Sequence, residues 1–169
     1  MIRNPDLLKS RLDVKEKQHE QKGIIVLSGL MFMGGFIVSG LDFRFGWSNI
    51  SITIVIIVSI IFLLAYVMYA EVLRENTFLS RTIQVKENQT VIDTGLYGIV
   101  RHPMYISTLC LFLTMPLILG SLWGFLIFLM YPFIIIKRIK NEELVLEKEL
   151  MGYIDYERRV PYKLIPYIW

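Results

Sequence analysis

The chain has 169 residues, a net charge of +3, 54% hydrophobic residues and a mean hydropathy of +0.52, a length that would suit one soluble domain and a composition that argues against it. One cysteine, Cys110, leaves no partner for an intramolecular disulfide, and two histidines with one cysteine give no basis for a zinc site, so no metal is expected. The basic residues flank apolar runs instead of forming a stripe, which excludes nucleic acid as a partner.

Residues 1–22 hold six Lys/Arg and four Asp/Glu before any apolar run, so they do not read as a cleaved signal. Ile2, Leu7, Leu8 and Leu12 on one side suggest an amphipathic helix at a membrane surface. Two uncharged blocks follow, 23–41 (19 residues) and 45–70 (26 residues). About 20 helical residues cross a hydrocarbon core of about 30 Å, so each reads as one span. The connection between them, Asp42 to Gly46, carries Arg44 as its only basic residue.

Segment 71–102 is mixed. Its first part extends the second span as helix, and "TIQVKENQTVIDTG" is β-prone and turn-prone, with Asn88 and Gly95 at turn positions. It ends in "TGLYGIVRHP", where Arg101 and His102 precede a proline and no Asp, Glu, Lys or Arg follows until Lys137. Pro103 suits the first turn of a helix, because its missing N–H needs no partner there. A helix start at Pro103 would turn a positive dipole end and free N–H groups toward the loop, an anion-binding mouth. Tyr105, three residues after His102, shares its face, and Gly95 and Gly98 permit close backbone approach to a ligand. On these grounds alone, Arg101 as topology signal with His102 as helix cap stands level with a binding site.

The third block, 103–136, has 34 residues, too long for one span. "MPLILGSLWG" near its centre predicts a tight helical hairpin, or two short helices kinked at Pro116. Segment 137–169 opens as a strong helix former with no breaker until Gly152, then turns irregular at Pro161 and Pro166. Ile135, Ile139, Glu142 and Glu143 are spaced three and four apart, so the acid pair continues a face of the last span. Tyr153, Tyr156, Tyr162, Tyr167 and Trp169 would suit an aromatic anchor at the bilayer surface.

These elements predict an all-α integral membrane protein with four transmembrane helices, the last two as a hairpin, in a single domain over 1–169. Six basic residues precede the first span and seven follow the last, so both termini and segment 71–102 are expected in the cytoplasm. Ionisable groups at that membrane edge are candidates for function. No GxGxxG, P-loop, HExxH or CxxC motif is present, so any cofactor must be held by loops and helix ends.

"TGLYGIVRHPMYIST" followed by "RIKNEELVLEKELMGYIDYERRVPYKLIP" resembles the isoprenylcysteine carboxyl methyltransferase family of integral-membrane methyltransferases, whose Arg-His-Pro and Glu-Glu elements the phospholipid methyltransferases share. "GLDFRFGWS" and "ENTFLSRTIQV" are similar to bacterial-type members. Leu96 departs from the proline usual in that turn, leaving Gly95 and Tyr97 in place. The resemblance implies methyl transfer from S-adenosyl-L-methionine to a lipophilic or prenylated acceptor that enters from the bilayer. It implies cofactor contacts at Leu96, Tyr97, Arg101, His102, Pro103, Tyr105, Glu142, Tyr153 and Tyr156. Glu142, Glu143 and Arg158 are the implied catalytic residues, with His102 as a further candidate base. Arg101 and Arg158 both remain candidates for the cofactor carboxylate. Phospholipid N-methylation is the alternative within the class. Membrane sterol reductases, with a similar pocket holding NADPH, rank lower because they have more spans, and a non-catalytic membrane scaffold is the non-enzyme reading.

Overall fold

The computed structural model describes residues 19–79 and 83–169. The expected amphipathic segment over 1–22 therefore lies almost wholly outside the described residues. Six α-helices follow: α1 (His19–Phe45), α2 (Ile52–Glu75), α3 (Pro103–Ile118), α4 (Leu122–Phe128), α5 (Tyr131–Glu149) and α6 (Tyr153–Arg159). A single 3₁₀ turn covers Gly95–Gly98, and no strand occurs among the described residues. Three stretches are long and apolar enough to cross a membrane: Gly23–Phe45, Ile52–Glu75 and Leu122–Glu149, the last being α4 and α5 together. Pro103–Ile118 is apolar but shorter. The chain is a multi-pass integral membrane protein.

α2 begins at Ser51, whose Oγ accepts from the Ile54 N–H, and it runs beyond Ala70 to Glu75 as expected. Its only buried residues are Val58, Ala65 and Val72, spaced by seven, which makes a narrow seam against α3. The exposed Ile56, Ile60, Leu63, Leu64 and Val67 present the rest of the helix to lipid.

The third apolar block does form a hairpin. Its turn falls at Leu119–Ser121, beyond Pro116, and α3 continues through that proline for two further residues. The return arm is broken at Leu129–Met130, a feature the sequence reading did not anticipate. Pro132 explains it, since it stands within the first two positions of α5, where no intrahelical N–H is required. α1 packs on α4 around Phe128, which is fully buried with Phe32 and Phe36 edge-on to it. Gly35 makes this possible, because a Cβ there would lie 2.4 Å from the Phe128 ring.

The two turns at the hairpin end are stitched together by Asp42. Its carboxylate accepts from Ser48 N and Ser48 Oγ, both at 2.7 Å, and from Ser121 Oγ at 2.5 Å. Ser121 in turn caps α4 by accepting from Gly124 N at 2.9 Å. At the other end of the bundle α5 leaves the apolar region as one rod and stops at Leu150, with Gly152 in the left-handed region at φ 82°.

Candidate functional site

The loop before α3 is shaped by its turn residues. Asn88 (φ 59°) and Gly95 (φ 53°) both adopt the left-handed conformation expected of them, and Gln89 N donates to Lys86 O across the first turn. The β-prone stretch stays irregular over 83–94 because no partner strand lies beside it. A Cβ on Gly95 would lie 2.2 Å from the Glu75 carboxylate, which also accepts from Thr94 Oγ1. The end of α2 therefore holds the turn that delivers Tyr97.

Arg101 is 5% exposed, and its guanidinium makes three hydrogen bonds and two further ion-pair contacts. Nε donates to Glu143 Oε1 at 2.9 Å, and Nη1 donates to Val160 O and Pro161 O at 2.9 and 3.1 Å. Nη2 pairs with Glu143 Oε1 at 2.8 Å and with Glu157 Oε1 at 2.9 Å. Glu143, 3% exposed, also faces His102 Nε2 at 3.2 Å and pairs with Lys163 Nζ. Main-chain bonds run parallel to these, from Arg101 N to Tyr162 O and from His102 N to Lys163 O, both 2.9 Å. Neither half of the topology-and-cap reading describes this. The arginine is interior, and His102, though it occupies the N-cap position, makes no side-chain capping bond.

The Arg101 guanidinium is turned to Glu143, Glu157 and the tail carbonyls, and Arg158 is outside the cleft lining, its side chain 77% exposed and facing Asp155 at 3.7 Å. The tail is not a surface anchor alone. It folds back over the Arg-His-Pro segment and buries Tyr153 and Tyr156, while Tyr167 stays exposed.

Glu142 and Glu143 are adjacent in sequence but about 100° apart around α5, so they serve different surroundings. Glu143 sits inside the ion cluster, whereas Glu142 stands on the wall of a cleft. There Glu142 Oε2 accepts from Tyr105 O–H at 2.5 Å, and the same hydroxyl accepts from Arg138 Nε at 2.9 Å. The cleft is narrow, with a cavity volume of about 90 Å³, below the roughly 300–1,000 Å³ usual for small-molecule sites.

The cleft is lined by polar side chains, Tyr97, His102, Tyr105, Glu142, Tyr153 and Tyr156 among them, and by apolar ones, Phe78, Ile83, Val91, Leu146 and Leu150. Tyr156 O–H donates to Tyr97 O at 2.7 Å, and Asn76 Nδ2 donates to the Tyr97 hydroxyl at 3.2 Å. Tyr153, 4% exposed, has a buried hydroxyl with no partner. Burial pushes the phenols of Tyr97, Tyr153 and Tyr156 well above their usual range, so all three act as neutral hydrogen-bonding groups.

Of the residues nominated from sequence, Tyr97, Arg101, His102, Tyr105, Glu142, Tyr153 and Tyr156 meet at this cleft. Leu96 and Pro103 stand behind it. Leu96 O accepts from Ile99 N and Val100 N, and Pro103 is buried at the start of α3. Asn76, Gln84, Gln89, Thr90 and Arg138 were not foreseen. Arg138 carried a signal, since it stands one turn before Glu142, but the other four come from loop positions without periodicity.

The family model for phospholipid methyltransferases matches residues 50–151, which include the Arg101–Pro103 segment and both glutamates but not the tail. The mouse Delta(14)-sterol reductase TM7SF2 is 30% identical over 91 residues, covering 52% of this chain and 22% of that protein. The chain thus spans about a fifth of the length of this curated relative. The family match extends over more than half of the sequence and contains most of the residues that line the cleft, and the chain belongs to the phospholipid methyltransferase family.

Proposed function

We propose that the protein is an S-adenosylmethionine-dependent methyltransferase acting on a lipophilic acceptor at the cytoplasmic edge of a four-span bundle, with isoprenylcysteine-type O-methylation as the leading acceptor chemistry. The observation that carries the reading is the Tyr153 hydroxyl, buried without a partner in the wall of a cleft whose other lining residues, Tyr156 excepted, lie within the family-matched stretch. A buried donor left unpaired is costly unless a ligand completes it. Tyr97, Tyr153, Tyr156 and His102 would hold the cofactor, with Leu146 and Leu150 as the apolar backing. The cofactor supplies a methyl group activated by a sulfonium.

The chain's own residues position and desolvate. Tyr105 fixes the Glu142 carboxylate at the cleft wall, and Arg138 fixes the hydroxyl of Tyr105. A carboxylate acceptor needs no base, whereas an amine or thiol would give its proton to Glu142. Arg101 and Glu143 keep the tail folded over the site and act as positioning residues, in place of the catalytic role first given to Glu143. Orientation follows from the basic termini. The supporting geometry is that the cleft and tail lie at one end of the helices and the Asp42–Ser121 turns at the other.

The family match itself favours a second acceptor, the amine head group of a phospholipid. Calorimetry with S-adenosylhomocysteine tests the cofactor, with NADPH as the comparison because the mouse relative is named a sterol reductase. Binding of S-adenosylhomocysteine that weakens in His102→Ala and Glu142→Ala supports the proposal, and binding of NADPH alone overturns it. Transfer of labelled methyl to prenylcysteine analogues, phosphatidylethanolamine, lipophilic thiols or fatty acids then identifies the acceptor.

A further inference from the structure

Of the Arg, Lys, Asp and Glu side chains, two line the cleft among the described residues, Arg101 and Glu142. The guanidinium of Arg101 is paired with Glu143 and Glu157, neither of which lines the cleft. Glu142 has no ion pair among the described residues. Its Oε2 accepts from Tyr105 O–H at 2.5 Å, Arg138 Nε donates to that hydroxyl at 2.9 Å, and Oε1 is left without a donor. The cleft therefore carries one negative charge that no cation meets directly. Burial raises the Tyr97 phenol and the charge of Glu142 adds to that rise, so its field reaches across the lining. A carboxylate in a site partly shielded from water is stabilised by a cation brought to it.

Position along α5 decides which part of a ligand that charge meets. Leu146 and Leu150 line the cleft one and two turns beyond Glu142, about 6 and 12 Å outward along the helix axis. Glu142 thus stands at the inner end, beside Met104 and Tyr105 in the first turn of α3, and the helix continues inward through the buried Ile139 and Ile135. Tyr153 and Tyr156 stand on α6, beyond Leu150. A lipophilic acceptor coming from the bilayer reaches the inner end first, so the reacting atoms meet there. In a methyl donor of this kind the cationic centre is the sulfur that carries the transferred group.

We propose that Glu142 faces the sulfonium and makes the cleft selective for charge, an inference that rests on the methyltransferase reading. Glu142 loses its cationic partner when the methyl moves. The acceptor's lone pair forms the new bond, and sulfur keeps the pair of the broken C–S bond and becomes a neutral thioether. The loss favours release of the product. To test it, calorimetry on the full chain in mild detergent compares S-adenosylmethionine, sinefungin, which carries an ammonium where the sulfonium stands, and S-adenosylhomocysteine. Glu142→Gln should weaken the two charged ligands about tenfold, the low end for a close charge pair, and the neutral one by less than about twofold. Glutamine keeps the wall and the acceptor for Tyr105 that alanine would remove, and retained binding of the neutral ligand reports that the variant is folded. Equal weakening of all three overturns the proposal, because Glu142 would then meet a part they share, such as the ribose or the amino group. Unchanged affinity for all three overturns it as well. Both outcomes leave the methyltransferase reading standing, whereas failure of the wild type to bind any of the three refutes that reading and this inference with it.

Discussion

Replacing Glu143 with alanine removes the one carboxylate shared by Arg101, His102 and Lys163. Arg101 would remain 5% exposed with Glu157 as its only acidic partner, and that residue is itself partly open to solvent. Breaking a buried ion pair from one side costs about 3–5 kcal/mol, because the orphaned charge stays buried. On the scaling of soluble domains of this size, the loss corresponds to roughly 6–20 °C in melting temperature. Glu143→Gln keeps the shape and one acceptor, so a smaller loss of about 1–3 kcal/mol is expected. The assay is thermal unfolding in mild detergent, read beside S-adenosylhomocysteine affinity and turnover. A positioning role predicts that stability and ligand affinity fall together, since the same cluster holds residues 160–163 over the cleft. The reasoning is refuted if Glu143→Ala melts within a degree or two of the wild type. It is equally refuted if Glu143→Gln loses turnover with stability and affinity unchanged, which would make the glutamate catalytic.

Tyr153→Phe removes a hydroxyl that bonds to nothing within the protein, so stability should not fall, while cofactor affinity should drop about 3- to 10-fold in calorimetry. Arg158→Ala should leave both affinity and methyl transfer unchanged, with a stability effect within about 0.5 kcal/mol, because its side chain is exposed. Gly95→Ala should weaken ligand binding and lower the melting temperature, since a Cβ there collides with the Glu75 carboxylate on a left-handed backbone. Tyr97, Tyr153 and Tyr156 have raised pKa values in the folded state, so the stability they contribute is fully present below the unfolded tyrosine value of about 10. It is lost as the pH rises beyond that, and absorbance at alkaline pH should show at least these three phenols ionising only with unfolding.

The membrane character of the chain and its helical elements were legible from residue order, because each depends on local composition. Long uncharged runs are spans wherever they occur, Gly152 and Asn88 bring their backbone preferences with them, and Pro103 opens a helix. The break at Pro132 was legible in the same way and went unread. Tertiary structure alone decided the division of labour between Glu142 and Glu143. Sequence makes them look like a pair, whereas the 100° step of the helix sends one to the cleft and the other into the ion cluster. It likewise decided the surroundings of Arg101, whose guanidinium hydrogen-bonds to groups 42 to 60 residues away. Such contacts are a matter of three-dimensional convergence, and no spacing in the sequence encodes them.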